Sequence, residues 1–126
     1  MSHKSICGVT PVGASSGFNL YSPTFVRGLK KEGLPEMARA YGLAVNLARE
    51  AGFDAVEIHA GHGYLISQFL SPYTNRRKDC FGGSLENRMR FMDMVLEEVM
   101  KADGTDMAVL VKVNLRDGYR DGIEMV

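Results

Sequence analysis

The run Glu57-Ile58-His59-Ala60-Gly61-His62-Gly63-Tyr64 sets two imidazoles and a phenol close together, spaced by small residues. Neutral imidazole and phenol groups donate hydrogen bonds at pH 7, so brought together they can polarise a carbonyl oxygen, and a tyrosine can deliver a proton to carbon. On a straight strand His59 and His62 project to opposite faces, and the neighbouring glycines allow the turn that convergence requires. Three other readings compete. The histidines could cap strand-end carbonyls while Tyr64 packs. A zinc site could recruit Asp79 or Cys80 to His59 and His62, as in a metal-dependent barrel hydrolase, but that ligand set is incomplete and lacks the spacing of a helical His pair. A dinucleotide fingerprint could use Gly61 and Gly63, but Ile66 fills the third glycine position.

The elements that must position these residues follow from the periodicity. Pro35 suits a first helical turn, and Met37, Ala40, Tyr41, Ala44, Leu47, Ala48 and Ala51 then recur every three or four residues. Gly52 suits the left-handed cap of this helix, and a short strand, Phe53 to Ile58, follows at once. Ser84 can cap a second helix carrying Leu85, Met89, Met92, Val95, Leu96 and Val99 on one face and ending near Asp103-Gly104. Met107 to Val113 is a continuous apolar, β-branched run suited to a parallel strand covered on both faces. Helix, strand, helix, strand implies an α/β fold with right-handed crossovers, either a barrel or a doubly wound sheet. The strands lie further apart than the roughly 31 residues per unit of a ~250-residue, eight-unit barrel. The excess is the Ile58–Ser84 loop, on the carboxyl side of the first strand, where both architectures place their ligand sites. Residues 1–33, rich in Gly, Ser and Pro, are expected to be loop, unusually long for a compact domain.

Composition narrows the function classes. Fifteen Lys+Arg balance 15 Asp+Glu, which disfavours nucleic acid and acidic membranes as partners. Hydrophobic residues at 45% and charged residues at 24% match ordinary globular chains and argue against disorder. Cys7 and Cys80 are too few for a disulfide scaffold, no signal-like apolar stretch opens the chain, and none approaches the roughly 18 residues of a membrane span. A cytoplasmic location is expected.

Val56-Glu57-Ile58-His59-Ala60-Gly61-His62-Gly63-Tyr64-Leu65, with Gln68-Phe69-Leu70-Ser71-Pro72, Asn75-Arg76-Arg77-Lys78-Asp79 and Gly82-Gly83-Ser84-Leu85-Glu86-Asn87-Arg88, resembles the old yellow enzyme family of FMN-dependent NADH:flavin oxidoreductases. The resemblance runs from about Glu36 to Asp117, more loosely in the N-terminal loop, and implies a partial TIM (β/α)8 barrel. Residues 1–126 would be a segment of one FMN-binding barrel domain, with 1–33 as loop and 34–126 as βα units holding the fourth and fifth strands. It further implies that His59 and His62 hold a substrate carbonyl, that His59 also lies near the flavin, that Tyr64 donates the proton, and that Lys112 stands beside the pyrimidine edge of FMN. NAD(P)H would be the reductant and an α,β-unsaturated carbonyl compound the substrate. The resemblance implies no metal ligand, and two isolated cysteines cannot supply the iron-sulfur cluster of some larger relatives.

Asn75, Arg77, Asp79, Glu86 and Arg88 are expected to tie the long loop to the second helix, with Gly82-Gly83 making the turn before Ser84. Cys80 takes a position usually acidic in the family. Arg76, Lys78, Arg116 and Arg120 read as solvated charges, and Met89 and Met92 as core. The alternative is a catalytically silent barrel fragment that needs other chains to cover its sheet, with self-association as its expected behaviour.

Overall fold

A computed structural model describes residues 9–19, 23–103 and 107–124; Cys7 and Gly104 lie outside them. The elements are strands β1 (Val12–Gly13), β2 (Gly17–Asn19) and β3 (Thr24–Gly28), helix α1 (Leu34–Glu50), strand β4 (Ala55–Ala60), helices α2 (Leu65–Leu70) and α3 (Leu85–Asp103), and strand β5 (Ala108–Val113).

β4 and β5 pair in parallel, with Ala55 opposite Ala108 and His59 opposite Lys112. Because side chains alternate along a strand, Val56, Ile58 and Ala60 face the helices while Glu57 and His59 share the other face. Ile58 and Ala60 are buried in a core with Leu34, Ala38 and Val45 of α1, Ile66 and Phe69 of α2, and Phe91, Val95 and Val99 of α3. The Phe69 and Phe91 rings lie 4.4 Å apart at its centre.

Both long helices occupy the expected spans, with Pro35 in the first turn of α1 and Gly52 left-handed (φ 81°) just past its end. The buried face of α3 keeps the expected Val95 and Val99, whereas that of α1 departs from expectation. α1 turns Leu34, Ala38, Gly42 and Val45 inward, whereas Leu47 is exposed. The cause is close packing: a Cβ on Gly42 would stand 2.8 Å from the Glu98 carbonyl oxygen, so α3 seats on the smallest stripe of α1 and not on its largest apolar residues. On α3 the inward stripe is Phe91, Val95 and Val99, flanked by Met92, while Leu85 and Met89 are exposed. Apolar residues surround much of α3, so its neighbours select which of them join Val95 and Val99 on the buried side.

Within the N-terminal loop, β3 pairs in parallel with β1 and antiparallel with β2. These strands have two to five residues, too few to show an alternation against the glycines and serines around them. The Ile58–Ser84 loop likewise contains the short α2, started by Tyr64 in an extended conformation. No helix among the described residues is long and apolar enough to cross a membrane.

Candidate active site

The strand that carries His59 ends at Ala60, and the chain then reverses tightly. His62 and Gly63 adopt left-handed conformations (φ 54° and 73°), and the Tyr64 amide donates to the Gly61 carbonyl at 3.1 Å. This is the turn that convergence requires. The His59 and His62 rings meet edge-on at 4.9 Å, and the Tyr64 ring lies 4.8 Å from His59. Half of Tyr64 stays exposed, and His62 is exposed too, so the cluster opens to solvent. Lys112, the register partner of His59, shares its sheet face. The four candidate residues therefore gather at the carboxyl ends of β4 and β5.

Several groups fix the turn. Asn114, just beyond β5, accepts the His62 amide on Oδ1 at 3.2 Å. The Gln68 side chain spans two segments: Nε2 donates to the Gly63 carbonyl at 2.8 Å, and Oε1 accepts the Ala14 amide at 3.3 Å. Ser67 Oγ accepts the Gly63 amide at 3.4 Å. Below the turn, Ser71 donates to Asp117 at 2.5 Å and the Tyr73 and Tyr119 rings stack at 4.1 Å, so the segment after β5 is pinned against the loop after β4. Burial pushes the Asp117 carboxyl up, but the Ser71 hydroxyl and the backbone amides around it outweigh burial and hold it below the ordinary value.

The remaining motif residues brace the loop, as expected for most of them. Asn75 is buried and donates through Nδ2 to the Phe69 and Phe81 carbonyls at 2.7 Å. Arg88 donates to the Leu70 and Gly83 carbonyls. Arg77 forms a two-point pair with Asp79, at 3.0 and 2.6 Å, and donates to the Ala14 and Leu29 carbonyls, so it secures the N-terminal segment as well. That guanidinium holds the Asp79 carboxyl below its usual range. Glu86 reaches only the end of the loop, at Ser84. It sits exposed in the first turn of α3, where its own amide and the Ser84 hydroxyl hold its carboxyl low. Ser84 caps α3 through the Asn87 amide at 3.4 Å.

Asn114, Gln68 and the Ser71–Asp117 latch carry no chemical signature in the sequence. For Asn114 the one available signal is its place directly after a strand's carboxyl end. Among the described residues no three His, Cys, Asp or Glu side chains could hold a metal ion together, and Asp79 is engaged by Arg77.

One buried polar atom bears on cofactor fit. His59 Nδ1 is enclosed and has no hydrogen-bond partner in the protein. A buried polar group without a partner is costly, so its position suits a ligand acceptor or donor at this sheet end, and the nearby Lys112 adds a cation. The residues present fit the hydrogen-bonding edge of a flavin ring.

A family model for the NADH:flavin oxidoreductase / NADH oxidase family matches residues 2–126. An NADPH dehydrogenase of Clostridium acetobutylicum is 48% identical over 94 residues, which are 75% of this chain and 27% of that protein. A cinnamate reductase of Clostridium sporogenes is 39% identical over 123 residues, 96% of this chain and 18% of that protein. Among solved structures, morphinone reductase in complex with tetrahydroNAD superposes with TM-score 0.86 at 31% identity, over 98% of this chain and 38% of that one. The old yellow enzyme homologue from Zymomonas mobilis superposes with TM-score 0.84 at 30% identity, over 97% and 37%. The chain thus spans less than two fifths of each of these proteins.

Proposed function

Because the chain belongs to the NADH:flavin oxidoreductase / NADH oxidase family, we propose that it forms part of an FMN-dependent enzyme that reduces the activated C=C bond of an α,β-unsaturated carbonyl compound at the expense of NAD(P)H. The observation that carries this reading is the packing of His59, His62 and Tyr64 against one another at the end of β4. Relatives named NADPH dehydrogenase and cinnamate reductase support it, as does a structural neighbour that holds tetrahydroNAD.

A bound flavin would supply the hydride chemistry, from NAD(P)H to the substrate β-carbon. The chain's own residues do the rest. His59 and His62 donate N–H groups to the carbonyl oxygen and stabilise the negative charge that grows there as hydride arrives. Tyr64 gives its hydroxyl proton to the α-carbon, which completes addition of one hydride and one proton across the double bond. Lys112 and His59, register partners on one sheet face, would hold the flavin, where the lysine cation would favour negative charge on the ring.

In the enzyme that contains this chain, Tyr64→Phe is expected to slow the alkene half-reaction by about 10²–10⁴-fold while flavin reduction by NAD(P)H is retained, since a proton donor acts only when carbon is protonated. Stopped-flow measurement of both half-reactions separates the outcomes. Equal loss in both makes Tyr64 a packing residue.

For the chain by itself a second reading is favoured by the exposure of Leu110, Val111 and Val113 on β5. Such a surface suits a piece that acts only after association with further barrel wall.

A further inference from the structure

We propose that Asn114 is a positioning residue for His62, an inference that rests on the carbonyl-binding role given to His62 above. Three observations meet at this point. His62 is one of two non-glycine residues among those described with positive φ, a conformation that costs a β-carbon-bearing residue free energy unless its surroundings enforce it. Its amide is held by Asn114 Oδ1 at 3.2 Å, across 52 residues of sequence. Gly61 is shaped for the same carboxamide: a Cβ there would lie 2.7 Å from Asn114 Oδ1 and 3.4 Å from His59 Cε1.

The carboxamide thus occupies the space that Gly61 leaves and grips the backbone at the residue that departs from ordinary geometry. Releasing it lets His62 relax toward negative φ, which swings its ring away from His59 and separates the two donors aimed at one oxygen. The link also joins the end of β5 to the turn after β4, so Lys112 and His62 are set by one piece of backbone. Asn114 makes no contact of its own with substrate in this account; it acts through His62.

The test uses the flavin-loaded enzyme that contains this chain, 15N-labelled for reading the His62 amide. Asn114→Ala is expected to move the His62 amide proton upfield and speed its exchange with solvent, while Asn114→Asp, which keeps an oxygen acceptor, restores protection. Kinetically, Asn114→Ala should lower kcat/KM for the unsaturated carbonyl substrate roughly tenfold, short of the ~10²-fold cost of an ångström-scale misplacement, with flavin reduction unchanged. Gly61→Ala, which crowds out the carboxamide, should reproduce the amide signature, and the double variant should be less than additive because both remove one interaction. An unchanged His62 amide in Asn114→Ala overturns the proposal. So does an altered amide with full kcat/KM if His62→Ala is still defective. If His62→Ala is fully active, the functional reading of His62 fails instead.

Discussion

At the scale of single residues, chemistry is concentrated where the backbone is least ordinary. His62 and Gly63 take left-handed conformations so that a strand that separates its side chains can bring His59, His62 and Tyr64 together. The need for that turn was legible in the spacing, and so was the cluster. Its supports were not, because an amide oxygen such as Asn114 has no motif, and its role exists only once β5 lies beside β4. The Arg77–Asp79 ion pair gives a pH prediction. Arg77 holds the Asp79 carboxyl below its unfolded value of about 3.9, so the pair's contribution is present above pH ~4 and is lost as pH falls through the lower folded value. Asp79→Asn should therefore be less stable at neutral pH, and its unfolding midpoint in urea should vary less with pH on the acid side. A parallel acid dependence in both proteins would assign it to other carboxylates.

At the scale of elements, the sequence located the long helices and the paired strands to within one or two residues, because Pro35, Gly52 and Ser84 punctuate the chain with definite conformational preferences. It showed the buried side of α3 through Val95 and Val99, but not that of α1. Large apolar residues suggested one stripe on α1, yet the α1–α3 contact needs the absence of bulk at Gly42. Gly42→Ala tests this with opposing effects. Helix propensity alone favours alanine by about 1 kcal/mol, whereas overpacking against the Glu98 carbonyl costs about 1–3 kcal/mol. Net destabilisation is expected, read as a lower midpoint in thermal or urea unfolding. A stabilised variant would show that the helices can separate freely. The short strands β1 to β3 lay below the reach of periodicity, since register there is set by partners and by Arg77, which donates to the Ala14 and Leu29 carbonyls.

At the scale of the whole molecule, two parallel strands carry the His59, His62 and Tyr64 cluster, while among the described residues their outer edges and much of β5 remain uncovered. Leu110 is half exposed, and Val111 and Val113 are exposed as well, although β-branched residues in a parallel strand normally lie between two covered faces. A barrel site is assembled from the ends of several strands, and its phosphate pocket commonly follows the seventh and eighth. On the proposed function, this chain supplies one wall of a flavin site and not the site itself. Titration of the purified 126-residue chain with FMN, following flavin fluorescence alongside light scattering, tests that claim most directly. The expected result is no saturable quenching at micromolar FMN, together with scattering from self-associated protein. Stoichiometric micromolar binding by a monodisperse monomer would contradict it.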